Sequence, residues 1–264
     1  MRMKICLIVA CLCLSVCGAA GADPGTKTAN NIKTINRVFQ PGEKLTYSIS
    51  WSKVVEAGIA VMEVKKGNVP DSGPSYIFLS TTRSVGLVES FYPVRDSVES
   101  IVNAEELSPV VFHLQESHGK RKRQRTMTFD RAKGSVVFRL NEDPPQTYAV
   151  PLRVQDALSS LYYMRTRDDF VVGKKVNVDV FDGGKTWAVE IHVLNKEKIT
   201  TPAGTFDTIK VKTYPKYEGV FMHKGEIFIW ITDDARRIPV LMKSTISIGS
   251  IVATLTKMEG VNNP

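Results

Sequence analysis

From Phe39 to Met258 the chain is built of short runs that alternate apolar and polar residues, cut by turn residues. Side chains of a strand point alternately to its two faces, so period two specifies half-buried antiparallel strands. Tyr47, Ile49 and Trp51 alternate with Ser48 and Ser50. Ala60, Met62 and Val64 fall out of phase with Ile59 and Val61. Val176, Val178 and Val180 alternate with Asn177 and Asp179, and Asp182-Gly183-Gly184 turns the chain into Trp187, Val189, Ile191 and Val193. Arg131-Ala132-Lys133-Gly134 and Pro202-Ala203-Gly204 supply further turns. The expected fold class is all-β.

One segment departs from this period. Val154, Leu158, Leu161, Tyr162 and Arg165 recur at helical spacing. Asp156 suits the positive end of a helix, and Arg165 and Arg167 the negative end. The spacing predicts one helix over about residues 154–167, with Leu158 and Leu161 facing the sheet. Residues 39–260 read as a single β domain. Two sheet layers divided near the helix are a second arrangement with the same pattern.

The first 22 residues carry no strand signal. Arg2 and Lys4 precede an apolar run from Ile5 to Val16, and Ala20-Gly21-Ala22 closes it. That is the layout of a signal peptide cut before Asp23. The run is shorter than the roughly 20 apolar residues of a bilayer span. The expected location is periplasmic. A second option is a lipoprotein anchored at Cys17, although Val16 stands where a lipid-attachment box wants a small residue. Residues 23–38 are polar and read as a flexible lead-in. The cysteines, Cys6, Cys11, Cys13 and Cys17, all lie in the leader. The mature chain therefore lacks disulfides, thiolate metal sites and a cysteine nucleophile.

Removing Arg2 and Lys4 from the net charge of +8 leaves the mature chain at +6. In the periplasm that charge suits anionic lipid or polymer and not nucleic acid, or serves solubility alone. The densest basic run is Lys120, Arg121, Lys122, Arg123 and Arg125. It fits either a solvated strand edge or contact with an anionic surface.

No constellation for catalysis stands out. There is no G-x-S-x-G nucleophile turn, and His113, His118, His192 and His223 show no metal-ligand spacing. His113 and His118, five apart, should point to opposite faces of a strand. Asp168-Asp169 and Asp233-Asp234 read as turn formers. Neither cofactor nor metal is expected, and the chain reads as no enzyme.

Ile227-Phe228-Ile229-Trp230-Ile231 is apolar on both faces. Either a second layer covers it or one face lines an apolar cavity. The cavity option makes Phe228 and Trp230, with Trp51 and Trp187, candidate ligand contacts.

Several longer motifs resemble a known family. They are Pro41-Gly42-Glu43-Lys44-Leu45 with Tyr47, Glu56-Ala57-Gly58, Gln155 to Arg165, Thr201 to Thr208, and Trp230 to Val240. Together they resemble the exported bacterial proteins grouped as domain-of-unknown-function family 3108, over about Phe39 to Leu255. The resemblance implies a strongly curved, barrel-like antiparallel sheet in an exported bacterial envelope protein, and no catalytic residue. The expected function is non-catalytic binding of an apolar or amphiphilic, lipid-like ligand on the curved sheet. The alternatives are an envelope assembly or structural factor working through a protein partner, and a hydrolase of an envelope polymer.

Overall fold

The computed structural model describes residues 38–52, 54–69, 73–217, 220–221, 226–246 and 249–263. The leader, Cys17 and most of the polar lead-in lie outside the described residues. The strands are β1 (Lys44–Trp51), β2 (Val55–Val69), β3 (Gly73–Ser84), β4 (Val94–Asn103), β5 (Pro109–His118), β6 (Arg121–Asp130), β7 (Ser135–Leu140) and β8 (Gln146–Ala149). After the main helix come β9 (Lys175–Asp182), β10 (Lys185–Thr201), β11 (Gly204–Tyr217), β12 (Val220–Phe221), β13 (Ile227–Thr232), β14 (Pro239–Ile246) and β15 (Gly249–Glu259). Two helices interrupt them, α1 (Gly86–Phe91) and α2 (Ala157–Arg165). None of the described helices is long and apolar enough to cross a membrane.

All the strands belong to one sheet, in the order β8-β7-β6-β5-β4-β3-β2-β1-β15-β14-β13-β11-β10-β9, with β12 on β11. One meander runs from β1 to β8 and a second from β9 to β15, and they join where β15 pairs antiparallel with β1. The two edges curve toward each other. Gln155 forms a parallel bridge with Val180, its N–H donating to Asp179 O at 2.8 Å while Phe181 N–H donates to Gln155 O at 2.8 Å. The Phe181 ring lies 5.5 Å from Tyr148 on β8 and 6.4 Å from Phe138 on β7. The result is a barrel-like curve, and the division into two layers does not occur.

Period-two patterning sets the core. Leu45, Tyr47 and Ile49 of β1, Ala60, Met62 and Val64 of β2, and Val189, Ile191 and Val193 of β10 are all buried. Ile59 and Val61 lie half-buried on the other face. The helix is shorter than its sequence pattern suggested, because Asp156 caps it. The Asp156 carboxylate accepts from the N–H groups of Leu158 and Ser159, both at 2.8 Å, and Ser159 Oγ accepts from Asp156 N–H in return. Ser100 Oγ on β4 donates to the same carboxylate at 2.6 Å, which ties the helix start to the sheet. Burial pushes the Asp156 carboxyl above its usual range. Leu158 is fully buried, as expected, but Leu161 is only half-buried. Tyr162 takes the place expected of Leu161. Its ring stacks on Phe78 of β3 at 3.8 Å, with Phe39 edge-on at 5.4 Å.

The last turn of α2 closes one end of the barrel. Arg165 is buried and donates to Glu43 at 2.6 and 2.9 Å, to Val38 O at 3.1 Å, and to Arg236 O at 3.1 and 3.2 Å. Glu43 precedes β1 and is equally buried. Nearby, Tyr47 donates to Pro239 O at 2.9 Å.

Two outcomes are expected in urea unfolding. Arg165→Met, which leaves the Glu43 charge buried and unpaired, should cost about 3–5 kcal/mol, and adding Glu43→Leu should recover most of it. No recovery in the double variant would mean that the pair is not what the end of the barrel depends on. Leu158→Ala should cost about 2–5 kcal/mol, and Leu161→Ala clearly less. Equal losses would contradict the burial described for the helix.

Candidate functional site

The end of the barrel opposite Glu43 is open. Strand register brings its parts together. Trp51 lies opposite Val55 and Ile251, Gly58 opposite Ser84, Arg83 opposite Arg95, and Val94 opposite His118. The β1–β2 turn, the β3–β4 connection carrying α1, the start of β15 and the β5–β6 hairpin therefore form one rim.

Within this mouth lies an apolar cavity of about 360 Å³. Ile49, Trp51, Val55, Ala57, Gly58, Val94 and Ile251 line it from the sheet, and Leu87, Val88, Phe91 and Tyr92 line it from α1 and its end. Two glycines set the backbone and the Trp51 ring around it. A side chain at Gly58 would meet Arg83 O at 2.5 Å, so only glycine lets β2 and β3 approach there. Gly249 has φ +128°, and a Cβ on it would meet the Trp51 indole nitrogen at 2.6 Å.

Helix α1 is a flap in composition. It buries none of its residues, and Leu87 and Phe91 are 71% and 84% exposed. Its anchor is polar. Glu89 accepts from Arg95 Nη1 at 2.7 Å and from the Ser84 hydroxyl, while Ser84 Oγ accepts from Val94 N–H at 2.8 Å. Arg95 first, and Ser84 second, hold the Glu89 carboxyl at about 2. No residue of α1 was expected to be helical, because six residues are too few to show a period.

Beside Tyr92, His118 Nε2 lies 2.9 Å from both oxygens of Asp96. The Tyr92 and His118 ring centres are 6.3 Å apart. The hydrogen bond to Asp96 raises the His118 pKa against the opposing effect of burial. His113 faces the other side of β5, where Thr126 approaches its Nδ1 at 3.5 Å.

Of the four aromatic residues expected to contact ligand, only Trp51 lines this cavity. Trp187 is buried in the core, its Nε1 donating to Asp182 O at 3.4 Å. Phe228 and Trp230 lie on the face of β13 opposite Ile227, Ile229 and Ile231, where Trp230 is buried and Phe228 half-buried. They sit opposite Lys212 and Lys210 of β11, with Lys210 Nζ 4.9 Å from the Trp230 ring centre and 5.6 Å from that of Phe228. Trp230 Nε1 donates to Glu197 at 2.7 Å. Strand β13 is thus apolar on both faces for two reasons. Ile227, Ile229 and Ile231 are buried on one face, and on the other Trp230 is buried and Phe228 half-buried against lysine side chains of β11. The rings that line the cavity instead come from Trp51, Phe91 and Tyr92.

The basic run divides by strand alternation. Arg125 is 4% exposed, faces inward, and pairs with Asp182 at 2.8 Å and Glu116 at 3.3 Å. It is therefore no surface contact. Lys120, Arg121 and Lys122 are exposed and Arg123 is half-buried. Lys122 lies in a row across the outer face with Ser117, Arg95 and Arg83, strand against strand. These residues, with Arg123, line an open groove of about 860 Å³ whose acidic members are Asp96, Glu116 and Glu142. Arg83 and Thr82 border both this groove and the apolar cavity.

A family described as "Protein of unknown function (DUF3108)" matches residues 46–256. Among solved structures, a beta-barrel-like protein of domain of unknown function DUF1849 from Brucella abortus is similar, with a TM-score of 0.57 at 11% identity, covering 86% of this chain and 100% of that one. A candidate exported protein with a YmcC-like fold from Bacteroides fragilis gives 0.36 at 12% identity, over 83% and 96% of the two chains. A candidate lipoprotein from Parabacteroides distasonis gives 0.33 at 12% identity, over 83% and 95%. No curated protein matches. The Brucella likeness supports the barrel-like fold and does not extend to activity.

The His118–Asp96 pair at the mouth has a pH signature. The fold raises the His118 pKa, so the protonated ring is favoured in the folded state. Its contribution is complete below the unfolded value of about 6.5 and disappears as pH rises through the folded value. The difference in Tm between the parent and His118→Asn should therefore shrink on raising the pH from about 6 to about 9. A difference that stays constant across that range would rule the ion pair out.

Proposed function

We propose a lipid-binding role for this chain, which belongs to the DUF3108 family of proteins of unknown function. The reading is of an exported envelope protein that holds the apolar part of an amphiphile and catalyses nothing. The observation that carries it is the apolar cavity at the barrel mouth, ringed by Trp51, Phe91 and Tyr92. A volume of about 360 Å³ falls in the range of small-molecule sites. Its walls are aliphatic and aromatic, suited to a hydrocarbon chain that needs no hydrogen bonds. Two polar side chains at the mouth, Ser84 and His118, are already engaged. The Ser84 hydroxyl is held between Glu89 and the Val94 amide, and His118 Nε2 is held by Asp96. The Glu89 carboxylate that accepts from Ser84 is held at about 2 by Arg95 and is therefore a weak base, which supports the non-catalytic reading.

Trp51 reports on the cavity directly. In a Trp187→Phe/Trp230→Phe background, titration with single-chain lysolipids should give a saturable blue shift of Trp51. Affinity should rise about tenfold for every two methylenes added, until the cavity is full. Ala57→Phe, which places a ring in the cavity, should abolish the response. A Trp51 emission indifferent to every chain length would remove the lipid-binding reading and favour an assembly factor that works through a protein face.

A further inference from the structure

The rim of the mouth has a composition that the cavity does not require. A chain-binding pocket can be closed over by its own walls, but here apolar residues of α1 and of the adjoining β1–β2 turn face solvent. Val54 and Phe91 are each 84% exposed, Leu87 is 71% exposed and Val55 is 42% exposed. They come from two separate segments, the β1–β2 turn and α1, that meet only at this rim. Exposed apolar side chains gathered at one site mark an interaction surface.

The charges around this patch identify what it meets. The hairpin carrying Lys120 is joined to the end of α1, since Gly119 N–H donates to Pro93 O at 2.8 Å. Arg121 and Lys122 follow at the start of β6, and Arg83 and Arg95 stand beside α1 on β3 and β4. Against these five cations, the exposed or half-exposed carboxylates of the rim are Glu56 on β2 and Glu89 on α1. Glu89 is spent on Arg95, while Asp96 is paired with His118 and Glu116 with the buried Arg125. Glu142 lines the same groove as Arg83, Arg95 and Lys122. Among the described residues, the side chains of Arg83, Lys120, Arg121 and Lys122 pair with no carboxylate. The mouth is thus an apolar tip bordered by more cations than carboxylates.

We propose that the open end of the barrel docks on an anionic phospholipid surface, with Leu87, Phe91 and Val54 entering the acyl–headgroup boundary and Lys120, Arg121, Lys122 and Arg83 contacting lipid phosphates. Apolar insertion and electrostatic attraction together are what interfacial binding requires, and neither suffices alone. The docking extends the ligand-binding reading by placing the cavity opening against the membrane, and its test is separate from the Trp51 titration.

The test is sedimentation of the purified mature chain with vesicles of phosphatidylethanolamine and phosphatidylglycerol, compared with phosphatidylcholine alone. Binding is expected to the anionic vesicles only, and to weaken as salt rises. Leu87→Ser/Phe91→Ser alters two exposed residues, so the parent melting temperature should be kept while vesicle affinity falls about tenfold or more. Lys120→Gln/Arg121→Gln/Lys122→Gln should weaken it about fivefold per residue. Equal affinity of the parent and the Leu87→Ser/Phe91→Ser variant would overturn the docking, as would equal binding to both kinds of vesicle. A parent that dimerises in solution through the same two residues would overturn it in favour of a second copy of this chain. If lysolipid shifts Trp51 and vesicles are not bound, the docking fails and the ligand-binding reading stands. If vesicles are bound and lysolipid leaves Trp51 unchanged, the reverse holds.

Discussion

A buried arginine–glutamate pair organises this barrel. Arg165 comes from the end of the main helix and Glu43 from the residue before β1, 122 positions apart in sequence. Burying both charges is costly unless each is fully paired, and a bidentate contact with backbone carbonyls around it meets that demand. The remaining guanidinium donors go to Val38 O and Arg236 O. One side chain therefore links the start of the domain, the helix between the two meanders and the β13–β14 connection. An uncompensated charge in this place would be worse than a hydrophobic residue, so all of these segments must arrive together.

The plug determines where function can lie. With α2 filling one end, the sheet packs its inward side chains against Leu158, Tyr162 and Phe39. Strand β1 then runs eight residues, about 25 Å, from the Glu43 end to Trp51. At that far end none of the described helices enters the barrel. Gly58 and the small Ala57 line the space there, and among the described residues the short α1 lies over it. The closed end provides stability, and the open end is free to carry an apolar cavity that a packed core could not.

The contrast between α1 and α2 follows from the same division. The cap of α2 is fixed by Ser100 and by its own backbone amides, and its side chains are core. In α1 the side-chain attachment is Glu89, shared between Ser84 and Arg95, with backbone bonds from Val85 to Ala57 and from Gly119 to Pro93 at its two ends, while its large apolar side chains meet solvent. A segment with little buried surface has low local stability, which suits an element beside a binding cavity.

The β character of the chain, the position of the helix and the inward residues of most strands were legible in the sequence, because period two and period 3.6 are local properties of the chain. The family motifs around Glu43, Arg165 and Arg236 were equally legible as patterns, yet nothing local shows that they meet. Residue Arg165 reads as an ordinary cation at a helix C-terminus until the sheet brings Glu43 to it. The same limit explains the aromatic residues. Alternation divides Phe228 and Trp230 from Ile227, Ile229 and Ile231, but which set faces inward depends on how the sheet curves, and the lysines of β11 that cover the rings are a neighbouring strand's contribution. Likewise Arg125 and Lys122 belong to one basic run, and only the curve of the sheet sends the first to Asp182 inside and leaves the second outside. The sequence by itself determined the strands and which residues share a face. The tertiary structure decided which face is interior, which end is open and which charges are paired, because those depend on contacts between residues a hundred or more positions apart.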